Sequence, residues 1–199
     1  MRELTLNTWL ADEQATRRAG AQLAETLVQV AHDRALTVFV RGNLGAGKST
    51  LVRGFLSALG VSGVMPSPTY SLVEPYEVAD LRLFHMDAYR MGDAVELDYL
   101  GLDDLDEPGT MLLVEWPDHV RDALPAPALE IELEVAPDPN IDAHGDHGEA
   151  PTGTRSVASS GTPVSDDTDM LRSGIGRQLT LRSRLLPGSL WAQLERAIN

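Results

Sequence analysis

Eight consecutive residues carry the plainest chemical signal. Gly42-Asn43-Leu44-Gly45-Ala46-Gly47-Lys48-Ser49 satisfies the pattern G-x-x-x-x-G-K-[ST]. Glycines let successive backbone N–H groups turn inward and approach phosphate oxygens without Cβ clashes. A helix beginning at Lys48 would aim the positive end of its dipole at the same oxygens. Lys48 adds a mobile charge for the β- and γ-phosphates of a nucleoside triphosphate, and the Ser49 hydroxyl can ligate Mg²⁺. The chain has fifteen arginines and one lysine, Lys48. A compact ammonium can enter a tight ring of backbone amides, whereas a planar guanidinium is too broad.

Such a loop needs a carboxylate, usually at the end of a buried strand, to hold the metal directly or through water. Two acids fit. Leu83-Phe84-His85-Met86 runs into Asp87, and Met111-Leu112-Leu113-Val114 runs into Glu115. One could serve the metal and the other the attacking water. His85 alternates with Asp87, so both face one side of a strand, and a buried, hydrogen-bonded imidazole is the expected reading. Trp116 could stack or pack. Tyr89 and Arg90 could reach a phosphate or pair with surface acids, the latter being favoured.

The elements that must position these residues follow from periodicity. Glu13–His32 reads as an amphipathic helix capped by Asp12, with Leu23, Leu27 and Val30 on one face. Leu36–Arg41 is a short β-branched run that predicts a buried strand leading into the loop. Lys48–Leu59 is helical, and Gly60 stops it. Ser71–Val78 and Leu81–Asp87 read as paired strands, Pro75 placing the first at an edge. A short helix over Asp93–Leu100 ends at Gly101. Met111–Glu115, Ala128–Val135 and Gln178–Ser183 are further strands, and Leu190–Ile198 closes the chain as a helix. Pro137–Arg177 is rich in Pro, Gly, Ser, Thr and Asp, which predicts a disordered insertion within a hairpin. Asp142, His144, Asp146 and His147 fall inside it and read as part of that polar loop rather than as a metal site.

Composition narrows the classes. The 199 residues suit one domain, no apolar run is long enough to span a membrane, and the first residues lack the apolar block of a secretory signal. A cytoplasmic protein is expected. The absence of cysteine excludes disulfides and thiol catalysis. A net charge of −14 argues against tight binding of nucleic acid by this chain alone and suits docking onto a basic partner. On chemistry alone, a partner-driving ATPase, a small-molecule kinase and a GTPase switch remain. A guanine-reading Asn-Lys-x-Asp motif cannot be written without a second lysine, and no compact arginine lid of a kinase is visible.

The ordered set Gly42–Thr50, Ser67-Pro68-Thr69-Tyr70, Leu72–Tyr76, His85-Met86-Asp87-Ala88-Tyr89-Arg90, Glu96-Leu97 with Leu100-Gly101-Leu102, and Val114-Glu115-Trp116-Pro117 resembles the TsaE (YjeE) family of tRNA threonylcarbamoyladenosine biosynthesis ATPases. The match covers roughly Asp12 to Val135. The resemblance implies ATP hydrolysis in support of a complex of TsaD- and TsaB-like proteins. That complex modifies the adenosine next to the anticodon, so tRNA would be met through the partners. It implies ATP binding by Gly45, Ala46, Gly47, Lys48, Ser49 and Thr50, with Asn43 and Leu44 in the same loop. Ser49 and Glu115 would hold Mg²⁺, Lys48 and Asp87 would serve hydrolysis, and Thr69 would act as a switch near the γ-phosphate. Trp116 would lie beside the site, with Glu13 and Arg177 approaching the nucleotide. Two departures stand out: Asn43 replaces the family's usual Asp, and the Pro137–Arg177 segment is longer than expected. The expected fold is a P-loop NTPase-like three-layer α/β sandwich, a mostly parallel sheet flanked by helices with one antiparallel hairpin.

Overall fold

The computed structural model describes residues 3–63, 65, 68, 71–78, 80–92, 94–99, 105–139 and 175–198. Seven strands form one sheet: β1 (Leu4–Leu10), β2 (Leu36–Arg41), β3 (Val73–Val78), β4 (Leu81–Asp87), β5 (Thr110–Glu115), β6 (Leu129–Pro137) and β7 (Ile175–Ser183), in the spatial order β1-β7-β6-β2-β5-β4-β3. The helices are α1 (Glu13–Ala31), α2 (Lys48–Ala58) and α3 (Gly188–Ile198). Four central strands, β6-β2-β5-β4, run parallel, and both margins are antiparallel. The hairpins β3–β4 and β6–β7 stand where the sequence placed paired strands and an interrupted hairpin, and β1 adds a further antiparallel strand beyond them. Pro75 does lie on an edge strand, β3.

The inner parallel strands β2, β4 and β5 are mostly apolar because both of their faces are covered. Val38 and Val40 of β2, with Met111 and Leu113 of β5, pack under α1, α2 and α3. Phe39, Leu112, Val114 and Met86 point the other way, into a smaller core that includes Met91, Val120 and Leu124. That second face is covered by 3₁₀ turns (Ala88–Arg90, Ala94–Tyr99, Pro117–His119, Arg121–Ala123) rather than by full helices. On β6 and β7 the alternation is half polar. Leu129, Ile131, Leu179 and Leu181 face the helices, while Glu130 and Glu132 face away and pair with Arg121 and Arg182.

Asp12 caps α1 as expected, its Oδ1 accepting from the Ala15 N–H at 2.6 Å. Helices α1 and α2 cross with almost no side chain between them. A Cβ on Gly20 would lie 2.1 Å from the Leu51 carbonyl oxygen, and one on Gly54 would lie 2.1 Å from that of Arg17. This contact seats α1 beside the phosphate loop, with Thr16 close to Gly47. Gly54→Ala therefore sets a gain in helix propensity of about 1 kcal/mol against a backbone clash costing about 1–3 kcal/mol or more. Chemical denaturation should show net destabilisation, whereas an exposed helical glycine would show the opposite.

The largest departures from the sequence reading lie at β1 and at the β6–β7 hairpin. Strand β1 was not anticipated. β7 begins at Ile175, so Pro137 and Ile175–Arg177, placed in the insertion by composition, belong to the hairpin strands; Pro137 pairs with Ile175, and Val135 with Arg177. Gly176 is held there by the Trp9 ring, against which a Cβ would lie at 2.3 Å. Thr69 with its neighbours Ser67 and Tyr70, the cap and stop at Asp93 and Gly101, and the Asp142–His147 cluster lie outside the described residues.

Candidate functional site

The carboxyl ends of β2, β4 and β5 reach one edge of the sheet at the same level, since Val40 is in register with Glu115 and Glu115 with Asp87. At that edge β2 passes into the loop 42–47 and then into α2. Gly47 stands at the helix N-cap with φ +102°, which a side chain would strain. Having no side chain, it leaves the first-turn amides of α2 to another partner.

Lys48 is buried at the start of α2. Its Nζ donates to the carbonyl oxygens of Gly42 at 2.8 Å and Asn43 at 3.1 Å, and it sits 3.6 Å from the centre of the Trp116 ring. Burial pushes its pKa below the ordinary lysine value, while Glu115 and Asp87 pull it back up. Trp116 takes a left-handed conformation, φ +58°, and its N–H donates to the Val40 carbonyl at 3.2 Å. Its ring meets Tyr89 at 4.9 Å between centroids. Arg41, one residue before the loop, pairs with Asp118 of the turn that carries Trp116. Nothing in the sequence pointed to this staple, because it depends on β2 and β5 being neighbours.

Odd-numbered residues of β4 and β5 face the helix layer, so His85, Asp87 and Glu115 all turn toward α2. The Ser49 hydroxyl donates to Glu115 Oε2 at 3.0 Å, and His85 Nε2 lies 3.0 Å from Glu115 Oε1. Asp87 Oδ1 accepts from the Tyr89 N–H at 3.0 Å. His85 is buried and hydrogen-bonded, as its alternation with Asp87 suggested.

These groups surround a cleft of about 370 Å³ lined by Leu44, Gly45, Gly47, Lys48, Ser49, Thr50, Asp87, Tyr89, Arg90, Glu115, Trp116 and Arg177. Tyr89 and Arg90, favoured above as surface partners, thus belong to its wall. Arg177 enters from β7, its Nε donating to the Ala46 carbonyl at 3.1 Å. Its place is set by the β6–β7 ladder, and it lies within a strand instead of just before one. Asn43 and Ala46 contribute carbonyl oxygens to Lys48 and Arg177 and are absent from the lining. Asn43 lines a separate groove with Arg41, Asp118, Glu132 and Glu134. Glu13 is also absent from the cleft; it is exposed and paired with Arg17 one turn along α1.

A family model described as Threonylcarbamoyl adenosine biosynthesis protein TsaE matches residues 10–141. The chain belongs to the TsaE family. It is 35% identical over 134 residues to the tRNA threonylcarbamoyladenosine biosynthesis protein TsaE of Haemophilus influenzae, covering 67% of this chain and 85% of that one. It is 39% identical over 99 residues to the Bacillus subtilis protein of the same name, covering 50% of this chain and 61% of that one. Its fold matches the crystal structure of Bacillus subtilis YdiB with a TM-score of 0.59 at 22% identity, over 100% of this chain and 97% of the other. The TsaE match spans every cleft residue except Arg177, which reaches the site from beyond residue 141. Among the described residues no helix is long and apolar enough to cross a membrane.

Proposed function

We propose that this TsaE-family chain binds ATP with Mg²⁺ in the cleft and hydrolyses it. On this reading, turnover drives tRNA threonylcarbamoylation by a complex of TsaD- and TsaB-like proteins in the cytoplasm. The observation that carries the reading is the convergence of Lys48, Ser49, Asp87 and Glu115 at one strand edge, directly below a helix N-terminus.

The donor set fits the metal. Ser49 Oγ and Glu115 Oε2 are adjacent hard oxygens, and Mg²⁺ takes one or two such ligands from protein and the remainder from phosphates and water. When bound, Mg²⁺ neutralises charge on the phosphate oxygens and orients them. The rest falls to the chain. Lys48 exchanges two carbonyl acceptors for phosphate oxygens, a change from neutral to charge-assisted hydrogen bonds. The Trp116 ring keeps water off that ammonium and strengthens its field. Asp87, fixed through Oδ1 by the Tyr89 N–H, is the acid that orients the attacking water and accepts its proton. Arg177 braces the loop at Ala46 and brings a cation to the cleft wall.

Multiple-turnover modification of tRNA by purified TsaD- and TsaB-like partners tests the role. Addition of this chain and ATP should raise the number of modified tRNAs per complex. Equal cycling with and without it would sink the assignment, and γ-label passing to a metabolite instead of free phosphate would point to a kinase.

A further inference from the structure

We infer that His85 is the positioning residue for Glu115: it fixes one carboxylate oxygen so that the other stays presented to Ser49 and to the metal. The inference rests on the reading of Ser49 and Glu115 as the magnesium-holding pair. His85 and Glu115 stand on adjacent parallel strands, and both are almost wholly buried. Their contact is 3.0 Å, from His85 Nε2 to Glu115 Oε1, while Oε2 is the oxygen that takes the Ser49 hydroxyl. A carboxylate only accepts, so the imidazole proton in this pair sits on Nε2.

The other ring nitrogen decides between a packing role and a directed one. Nδ1 is buried and has no hydrogen-bond partner among the described residues. An unpartnered polar atom costs free energy that an apolar side chain of similar size would avoid. Packing alone would therefore be better served by Leu. What the imidazole adds is one bond, and that bond goes to Glu115. Outer partners of metal ligands act in this way, restricting the ligand's rotation and raising its basicity. Among the described residues no other hydrogen bond holds Glu115 Oε1, and its three side-chain torsions would otherwise let the two oxygens exchange places.

The test titrates Mg²⁺ into protein carrying a non-hydrolysable ATP analogue, followed by calorimetry. His85→Leu should need roughly ten to a hundred times more Mg²⁺ for half-saturation, with analogue affinity in Mg²⁺-free buffer unchanged. His85→Gln keeps a donor near the Nε2 position and should restore the parental dependence. His85→Asn, whose amide stops short, should not. In a Glu115→Gln background His85→Leu should add no further loss, since the effect passes through Glu115. Parental Mg²⁺ dependence in His85→Leu, or equal dependence in the Gln and Asn variants, overturns the inference; the latter pair decides if the Leu variant does not fold. Should the unsubstituted protein bind the analogue with no Mg²⁺ dependence, the ATPase reading fails together with it.

Discussion

Lys48→Ala is expected to lower ATP turnover by about 10²–10³ or more, a loss of roughly 2.7–4 kcal/mol of charge stabilisation at the phosphates. Nucleotide binding should weaken in parallel. The fold should survive. The ammonium is buried, and its two hydrogen bonds offset a desolvation cost that burial already registers as a lowered pKa. When it is removed, the carbonyls of half-buried Gly42 and exposed Asn43 can turn to water. Thermal unfolding should thus move little while hydrolysis collapses. Normal turnover in this variant would overturn the site.

The same residue predicts a pH effect with a definite sign. In the nucleotide-free protein Lys48 titrates below the ordinary lysine value, so between the two values the unfolded chain binds more protons than the folded one. Its contribution to stability therefore rises with pH through that window, and below the window the cost of burying the ammonium is fully present. The parent should gain stability relative to Lys48→Ala as pH climbs toward the ordinary lysine range. A difference between the two that stays flat with pH would show that burial does not perturb Lys48.

Sequence legibility tracked how local the determining force was. Strands β2 and β4 were readable to their last residue because two-sided burial makes each a mostly apolar run that ends in a charged residue, Arg41 or Asp87. Helix α1 was readable through its stripe of Leu23, Leu27 and Val30 and its Asp12 cap. Strand β1 carries Leu4, Leu6 and Leu10 in alternation, a signal that could have exposed it, but Trp9 breaks the period and half of the strand faces outward. The start of β7 is specified by its ladder to β6, so composition around Ile175 and Gly176 could not mark it.

The site divides in the same way. Lys48 and Ser49 are spelled by a contiguous motif, and Asp87 and Glu115 each end an apolar strand. That Glu115 meets His85 on one oxygen and Ser49 on the other follows from the parallel register of β4 and β5 and from α2 lying over them. No single stretch of chain encodes that geometry. The resemblance to the family put Glu13 near the nucleotide, yet its side chain bends along α1 to Arg17 and leaves the cleft to Thr50 and Arg177.

Asp87→Asn should separate binding from chemistry. The substitution keeps size and keeps an Oδ1 acceptor for the Tyr89 N–H, so the turn at Ala88–Arg90 should hold. What disappears is a buried negative charge at the level of Glu115. A carboxamide can neither accept the proton of an attacking water nor orient it through charge, and loss of a positioned base costs about 10²–10⁴ in rate. Binding moves the other way, because a carboxylate beside a triphosphate repels it; affinity for ATP should be retained or tightened. Lys48 loses one of the two charges that raise its pKa, which shifts its ammonium further toward the neutral form in the empty site but not once phosphates surround it. The expected signature is a variant that saturates with ATP, shows parental thermal stability, and releases phosphate at a small fraction of the parental rate. Loss of ATP binding in Asp87→Asn would instead place Asp87 among the groups that hold the nucleotide or its metal, and Glu115 would then be left to serve the water.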